Sequence, residues 1–456
     1  MTVTSVDDIA ENIEAHYRQR TPGSADLWNQ SFRVFPEGIS GAAKYYTPHP
    51  VFVDTGFGGH VIDVDGNDYV DLLMGAGSSL LGHCHPAVVS AVSNQIGLLA
   101  TTLAPTALEP RYAERLQQHM PYLERIRFTN TGSEATRTAL RAARAATGRT
   151  MFAKFEGNYH GSDDCFLFSS VSRAVAGSAS RPTPVADSAG IPDTLADQVL
   201  VLPYNDPDTA SQLIRENGSC LAAVIMEPMA FSTGGAVLAD RDFAESIRAV
   251  TEDHGIVLIF DEVVTSLRLG VGGAPDYLGV TPDLSCIGKA IGGGLPLAAM
   301  GGRADLMETV LGPSAQGDGT KIFQSGTFTG NPVSLAAGMA VLDVLESEPV
   351  LGHIDNLGAS LRKGMQEVLD HHGSGHMTGV GSIFQLHFTD SPPHNRRDVL
   401  EGDLELLRIV LLAMCSHGVL WPPIHPGLVS YGHTAEDVQR VVDTTDQVLS
   451  LSLFAQ

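Results

Sequence analysis

Two apolar runs mark the middle of the chain, "LAAVIMEP" at 221–228 and "GIVLIFDEV" at 255–263. The stretch between them, "RDFAESIRAVTEDH", reads as a helix. Short runs rich in Val, Ile and Leu suit strands buried on both faces, and a helix joining two of them makes one βαβ unit. The same alternation of β-rich and helical patterns extends from about 61 to 345. It predicts a large α/β domain with a mainly parallel sheet covered by helices. Residues 1–60 are mixed, a helical start followed by the Gly-rich turn "PEGISGAAKYY", and are expected to join the smaller domain and the active-site entrance. Residues 346–456 carry helix "LGASLRKGMQEVLDHH", strand "GSIFQLHF" and helices "LELLRIVLLAMCSHG" and "AEDVQRVVDTTDQVLSL", which predict a smaller α+β domain. The Ser-, Ala-, Gly- and Pro-rich segment 162–195 reads as a mobile lid.

Composition adds boundaries to this outline. With 456 residues, 43% hydrophobic and 18% charged, the chain can bury a large core in two or three folding units. No apolar run approaches the roughly 20 residues of a spanning helix, and the first residues, "MTVTSVDDIAENIEAHY", are acidic, unlike a signal or transit peptide. Five scattered cysteines without a C-x-x-C pair fit a reducing compartment, so a cytoplasmic protein is expected. A net charge of −24 argues against nucleic acid or an anionic membrane as partner and for small-molecule chemistry.

The chemistry starts from a lysine in an unusual place. Only five lysines occur, Lys44, Lys154, Lys289, Lys321 and Lys363, and Lys289 stands in "LSCIGKAIGGGLP" among apolar residues and glycines. A lysine in a partly dry pocket tends to lose its proton, and a neutral amine can attack a carbonyl and form a Schiff base. Asp261 ends the run "IVLIF" 28 residues earlier, at the carboxyl end of a buried strand, where open α/β sheets place their ligand crevice. A buried anion there is what a pyridine cofactor needs to keep its ring nitrogen protonated. Each residue has a plainer reading, Asp261 as a cap or an ion-pair partner of Arg268 and Lys289 as an ordinary loop lysine. A phosphate-loop lysine fails the pattern, because the residue six before Lys289 is Asp283 and no Ser or Thr follows.

If the ligand is pyridoxal phosphate, a phosphate site should accompany the pair. In "RFTNTGSEATRTALRAARAAT" a short strand, a turn with Gly132 and Ser133 and an Ala-rich helix supply a helix N-terminus that can cradle an anion, or be a plain N-cap. "QSGTFTGNP" offers the hydroxyls of Thr327 and Thr329, and Tyr159 in "FEGNYHGS" can lie over a flat ring or simply pack.

Taken in order, "GSEA", "NYHG", "DEVVTSLRLG", "GKAIGGGLP" and "GTFTGNP" resemble the class III pyridoxal-phosphate aminotransferases of fold type I. The likeness covers about residues 25–450 and is nearest in pattern to the glutamate-1-semialdehyde 2,1-aminomutases. It implies a seven-stranded, mainly parallel sheet in the large domain, Lys289 as the Schiff-base lysine, Asp261 as partner of the pyridine nitrogen, Val263 under the ring and Tyr159 stacked on it. It further implies Gly132 and Ser133 as the phosphate turn, Thr327 as a phosphate ligand donated by the other subunit of a homodimer, and small amino and keto substrates. No metal is expected, since the H-x-H of "GHCHP" is poor evidence alone. Two departures bear on substrate. Lys44 stands in place of an arginine that grips a carboxylate, and His425 stands where the aminomutases have a glutamate. Lysine lacks the two-pronged carboxylate contact, so an aminotransferase acting between two molecules is the expectation, with the aminomutase as the alternative.

Overall fold

The computed structural model describes residues 6–311, 321–423 and 425–451. The chain forms two compact units, one of residues 1–85, 350–393 and 398–456, the other of 86–349 and 394–397. The boundary thus falls after His85 rather than near 60. Strands His60–Asp63 and Asp68–Asp71 pair with each other and Asp68–Asp71 pairs with Val419–Leu420, so residues 61–85 fold with the N- and C-terminal segments. Those strands, with Val53–Phe57, make a four-stranded sheet. Helices Val350–His372, Leu404–Ser416 and Ala435–Leu449 belong to the same unit, as does a three-stranded sheet containing Ile383–His387.

The main sheet of the second unit has seven strands among the described residues: β1 Arg125–Thr129, β2 Met151–Phe155, β3 Val199–Leu202, β4 Leu221–Met226, β5 Val257–Glu262, β6 Leu284–Ile287 and β7 Ala298–Gly302. Their order is β1-β7-β6-β5-β4-β2-β3, and only β7 runs antiparallel to its neighbours. The two runs read as strands are β4 and β5, adjacent and parallel, with Ile259 opposite Ile225.

Both faces of this sheet are covered, which is why its strands carry unbroken apolar runs. Successive side chains still alternate. Ala223, Ile225, Val257 and Ile259 pack with α1 (Gly132–Thr147) through Ala135, Ala139 and Leu140. Val224, Met226, Leu258 and Phe260 face α2 (Pro207–Asn217) and α3 (Arg241–Asp253) through Leu213, Phe243 and Ile247. This parity decides the chemistry at the end of β5, because Asp261 continues the α1 face and Glu262 the other.

At the opposite end of the sheet, buried Asp283 ties β5 to β6. Its carboxylate accepts from Leu258 N at 2.8 Å, Arg248 NH1 at 3.0 Å and Arg303 NH1 at 2.9 Å. Asp283→Ala should deprive a buried amide of its acceptor and take one contact each from Arg248 and Arg303, which keep Thr281 O and Asp305, and lower the folding free energy by about 2 kcal/mol. The measurement is the urea midpoint; an unchanged midpoint would show that the strands hold without this link.

Candidate active site

The carboxyl ends of β4 and β5 each deliver an acid. Asp261, at 6% exposure, accepts from His160 Nδ1 at 2.8 Å on one oxygen and from Val263 N at 3.1 Å on the other. Because a carboxylate only accepts, the His160 proton on this contact sits on Nδ1. Burial pulls the imidazole below its usual range, against the opposing pull of Asp261. His160 is itself fixed from behind, its carbonyl accepting from Thr136 Oγ1 of α1 at 2.7 Å. Its Nε2 is buried with no hydrogen-bond partner among the described residues. Asp261 therefore has His160 as its partner, not the ion pair to Arg268 that the sequence also allowed. Glu262 points the other way, to Tyr122 OH at 2.9 Å, Ala274 N at 2.6 Å and Ser285 Oγ at 3.1 Å, and serves the fold.

Val263 is where three sequence motifs meet. A methyl placed on Gly132 would come within 2.9 Å of both Val263 methyls, and one on Gly288 within 3.1 Å of Cγ1. The helix turn at Gly132 and the lysine turn at Gly288 thus close on opposite sides of one isopropyl group. Glycine at 132 is required by that approach. Lys289 follows Gly288 directly, opening a single 3-10 turn, Lys289–Gly292, with φ of 50°. A left-handed lysine is strained by about 1–3 kcal/mol, and such residues persist where surroundings over-determine them. Its Nζ lies 5.1 Å from the centre of the Phe231 ring. Burial lowers the amine from 10.5 to about 8, partly offset by the carboxylates of Glu227 and Asp261.

The start of α1 is capped by Thr131, whose side chain accepts from Glu134 N, while Glu134 Oε2 accepts from Asn130 N at 2.8 Å. The N–H groups of the first helical turn have no partner within the helix, so Gly132 and Ser133 present an anion cradle beside Val263. Ser133 Oγ accepts from Ser162 N at 3.1 Å, which locks the segment after Tyr159 and His160 to the same turn. Tyr159 is half-buried; its N donates to Glu227 Oε2 at 2.8 Å, and burial raises its phenol, helped by Asp261 and Glu227.

Lys289, Asp261, Val263, Gly132, Ser133 and Tyr159 accordingly converge in the second unit. His160, Glu227 and Phe231 join them and were not singled out from the sequence. Glu227 is buried and its carboxyl lies well above the usual range, from desolvation and then from Asp261. It ends the run "LAAVIM" as Asp261 ends "IVLIF", so the same strand-end argument points to it. The remaining candidates lie elsewhere. Thr327 is exposed in a loop of the second unit whose Gly326 packs by Asn130. Lys44 and His425 belong to the first unit. Lys44 is exposed with Nζ 3.1 Å from Ser40 Oγ, and the His425 carbonyl accepts from Trp421 Nε1 at 3.1 Å. In the stretch "GHCHP", His83 pairs with Asp71 at 2.7 Å.

Comparison with known proteins places this geometry. Residues 41–442 match the model of the aminotransferase class-III family. The chain is 37% identical over 425 residues to a glutamate-1-semialdehyde 2,1-aminomutase of Methanococcoides burtonii, covering 92% of this chain and 97% of that protein. An omega-transaminase from Sphaerobacter thermophilus superposes with a TM-score of 0.88 at 36% identity, over 95% of this chain and 99% of that one. A glutamate-1-semialdehyde aminomutase from Pseudomonas aeruginosa PAO1, solved in complex with PMP, gives 0.88 at 26% identity over 97% and 98%. The residues on hand suit pyridoxal phosphate. A desolvated amine for its aldehyde, a buried carboxylate for its ring nitrogen and a helix N-terminus for its phosphate stand about Val263, against which the turns at Gly132 and Gly288 close. The protein belongs to the class III aminotransferases of fold type I and works with pyridoxal phosphate.

Proposed function

We propose that this enzyme moves an amino group from a β- or ω-amino compound bearing a carboxylate to a separate keto acceptor. The observation that carries the reading is in Pro36–Tyr46, where Lys44 is the only cation and no arginine occurs. Within its unit Lys44 lines a cavity of about 380 Å³ whose other walls include Phe35, Ile39, Val51, Phe52 and Leu73. One cation on an apolar cavity suits a carboxylate on an apolar frame and lacks the paired grip an arginine would give. Likeness to an omega-transaminase supports the same choice. The alternative, an aminomutase acting on one molecule, has the support of the curated relatives named for that reaction.

When bound, pyridoxal phosphate supplies an aldehyde that condenses with amines and a ring that accepts the electron pair of a broken C–H bond. In this reading Asp261 holds the ring-nitrogen proton and His160 holds Asp261. Tyr159 and Val263 fix the ring plane, and Gly132 and Ser133 take the phosphate. Lys289 Nζ would take the proton from the amino-bearing carbon of the substrate and return it to a new position. Free thiols at all five cysteines, Cys84 and Cys220 exposed, fit the cytoplasmic setting inferred from sequence.

We also infer a homodimer with shared sites. Helix Pro86–Leu98 buries none of its side chains, and Leu98 and Leu103 are 83% and 87% exposed. Phe323 and Phe328 are exposed on the segment that carries Thr327, and Asn331 Nδ2 bonds Ala100 O at 3.0 Å, which joins the two stretches into one apolar face. A second copy covering that face would meet Thr327.

Three outcomes test these assignments. Incorporation of pyridoxal phosphate into apo-protein should speed up as pH rises and level off above about 8, because the amine is reactive only when neutral; a rise continuing to 10.5 would mean a solvated lysine. Turnover should need an added keto acceptor, and Lys44→Ala should raise KM for a carboxylated donor with little change in kcat. Efficient conversion of glutamate-1-semialdehyde to 5-aminolevulinate with no acceptor would make the enzyme an aminomutase instead. Phe328→Asp should yield monomers by sedimentation and weaken cofactor retention; an active monomer would refute the shared site.

A further inference from the structure

The segment 166–177, read from composition as part of a mobile lid, has its backbone captured at point after point. From the sheet, fully buried Lys154 of β2 donates to Phe166 O at 3.3 Å and Phe168 O at 2.6 Å. Asp187 collects the amides of Ser170 at 2.9 Å, Val171 at 3.1 Å and Ser172 at 2.8 Å. Two arginines complete the set, and both come from the four C-terminal-segment residues that belong to this unit, 394–397. Arg396, 2% exposed, donates to Ser170 O at 2.6 Å and to Ser172 O. Arg397 grips buried Glu156 with two prongs, at 2.7 and 3.0 Å, and reaches Ala176 O and Gly177 O, each at 3.2 Å.

This clamp ends at the residues assigned to the cofactor ring. The Arg396 stem lies flat on Gly157, where an added Cβ would come 2.8 Å from Arg396 Cβ and where φ is 85°. Gly157 N donates to Ser169 O at 2.8 Å. Thr233 Oγ1 bridges Gly157 O at 3.3 Å and Ser170 O, and Thr233 stands two residues after Phe231, whose ring lies by Lys289 Nζ. Two residues beyond Gly157 is Tyr159, and the next is His160.

We propose that Arg396 is a positioning residue for the reaction: it fixes the Gly157–His160 turn, and with it the Tyr159 ring and the His160–Asp261 pair, by making segment 166–177 a rigid wall instead of a closing lid. No group of Arg396 touches the reacting atoms in this arrangement. Its effect passes through the backbone of Gly157 and Ser170. The inference rests on Tyr159 and Asp261 being the ring contacts, so its test begins on apo-protein, where that assignment plays no part.

Hydrogen exchange on apo-protein should show segment 166–177 protected in the wild type and exchanging about tenfold faster in Arg396→Met. In the reconstituted enzyme, Arg396→Met should lose most of the visible circular dichroism of the bound cofactor, which reports ring orientation. It should also lower kcat about tenfold or more while KM for the donor stays within about twofold, since a small misplacement of reacting groups is enough for such a loss. Arg396→Lys should recover part of both signals. If Arg396→Met fails to fold, Thr233→Val cuts the same link without emptying a buried charge site and should give the same pattern. Wild-type exchange and a wild-type dichroic band in the folded variant would overturn the proposal. A dichroic band indifferent to Tyr159→Ala would instead overturn the ring assignment and leave the clamp standing on the exchange data.

Discussion

The carboxylate of Asp261 is a charge carried into a nearly dry interior, and such a transfer costs several kcal/mol unless the charge is paired and hydrogen-bonded. Much of the second unit's active end satisfies that demand. His160 and Val263 N take up its two oxygens. His160 reaches it only because Thr136 holds its carbonyl and the turn from Gly157 is clamped from outside. Val263 then stands where Gly132 and Gly288 close on it, which brings the anion cradle and the amine to the same place. Glu227, the neighbouring acid, shares the interior with Asp261, and desolvation, then the nearby Asp261, pushes its carboxyl well above the usual range. Two carboxyl groups thus stand at adjacent strand ends, Asp261 hydrogen-bonded on both oxygens and Glu227 accepting from Tyr159 N.

How much of this was legible in the chain depends on the range of the interactions involved. Strands β4 and β5, the helix between them and the strand-end position of Asp261 are local facts, written in apolar runs of the right length, and they were read correctly. Lys289 draws notice because a lysine between apolar and glycine residues is costly without a purpose, and its amine is lowered by that desolvation. His160 was passed over although it adjoins Tyr159, since nothing local says that its imidazole meets a carboxylate 101 positions away. The boundary near residue 60 failed for a related reason. Strand Asp68–Asp71 pairs with Val419–Leu420, and no pattern within it declares that distant strand. Segment 162–195 looked mobile because Ser, Gly and Pro describe a chain without its own secondary structure, and they are silent about lysine and arginine donors supplied by other segments.

The small residues around the lysine turn act by what they exclude. Gly132 and Gly288 leave no room for side chains beside Val263, so the helix turn at Gly132 and the lysine turn cannot drift apart without opening a void. Lys289 itself sits in a left-handed conformation that a lysine would not choose, between the end of β6 and a 3-10 turn closed by left-handed Gly293. Its strain is the local cost of aiming an amine into a desolvated pocket.

The contact between Glu156 and Arg397 spans 241 positions, and this separation has a meaning in time. On a ribosome adding about 5–20 residues per second, roughly 10–50 s pass between the two residues. During that interval the acid at the end of β2 has no guanidinium to follow it indoors and must keep its water. The strands of the cofactor unit are all made by then, yet the wall beside them cannot set. Completion of this unit is therefore tied to nearly the whole length of the chain, and a transcript cut short anywhere before codon 396 yields a sheet with an unsealed flank.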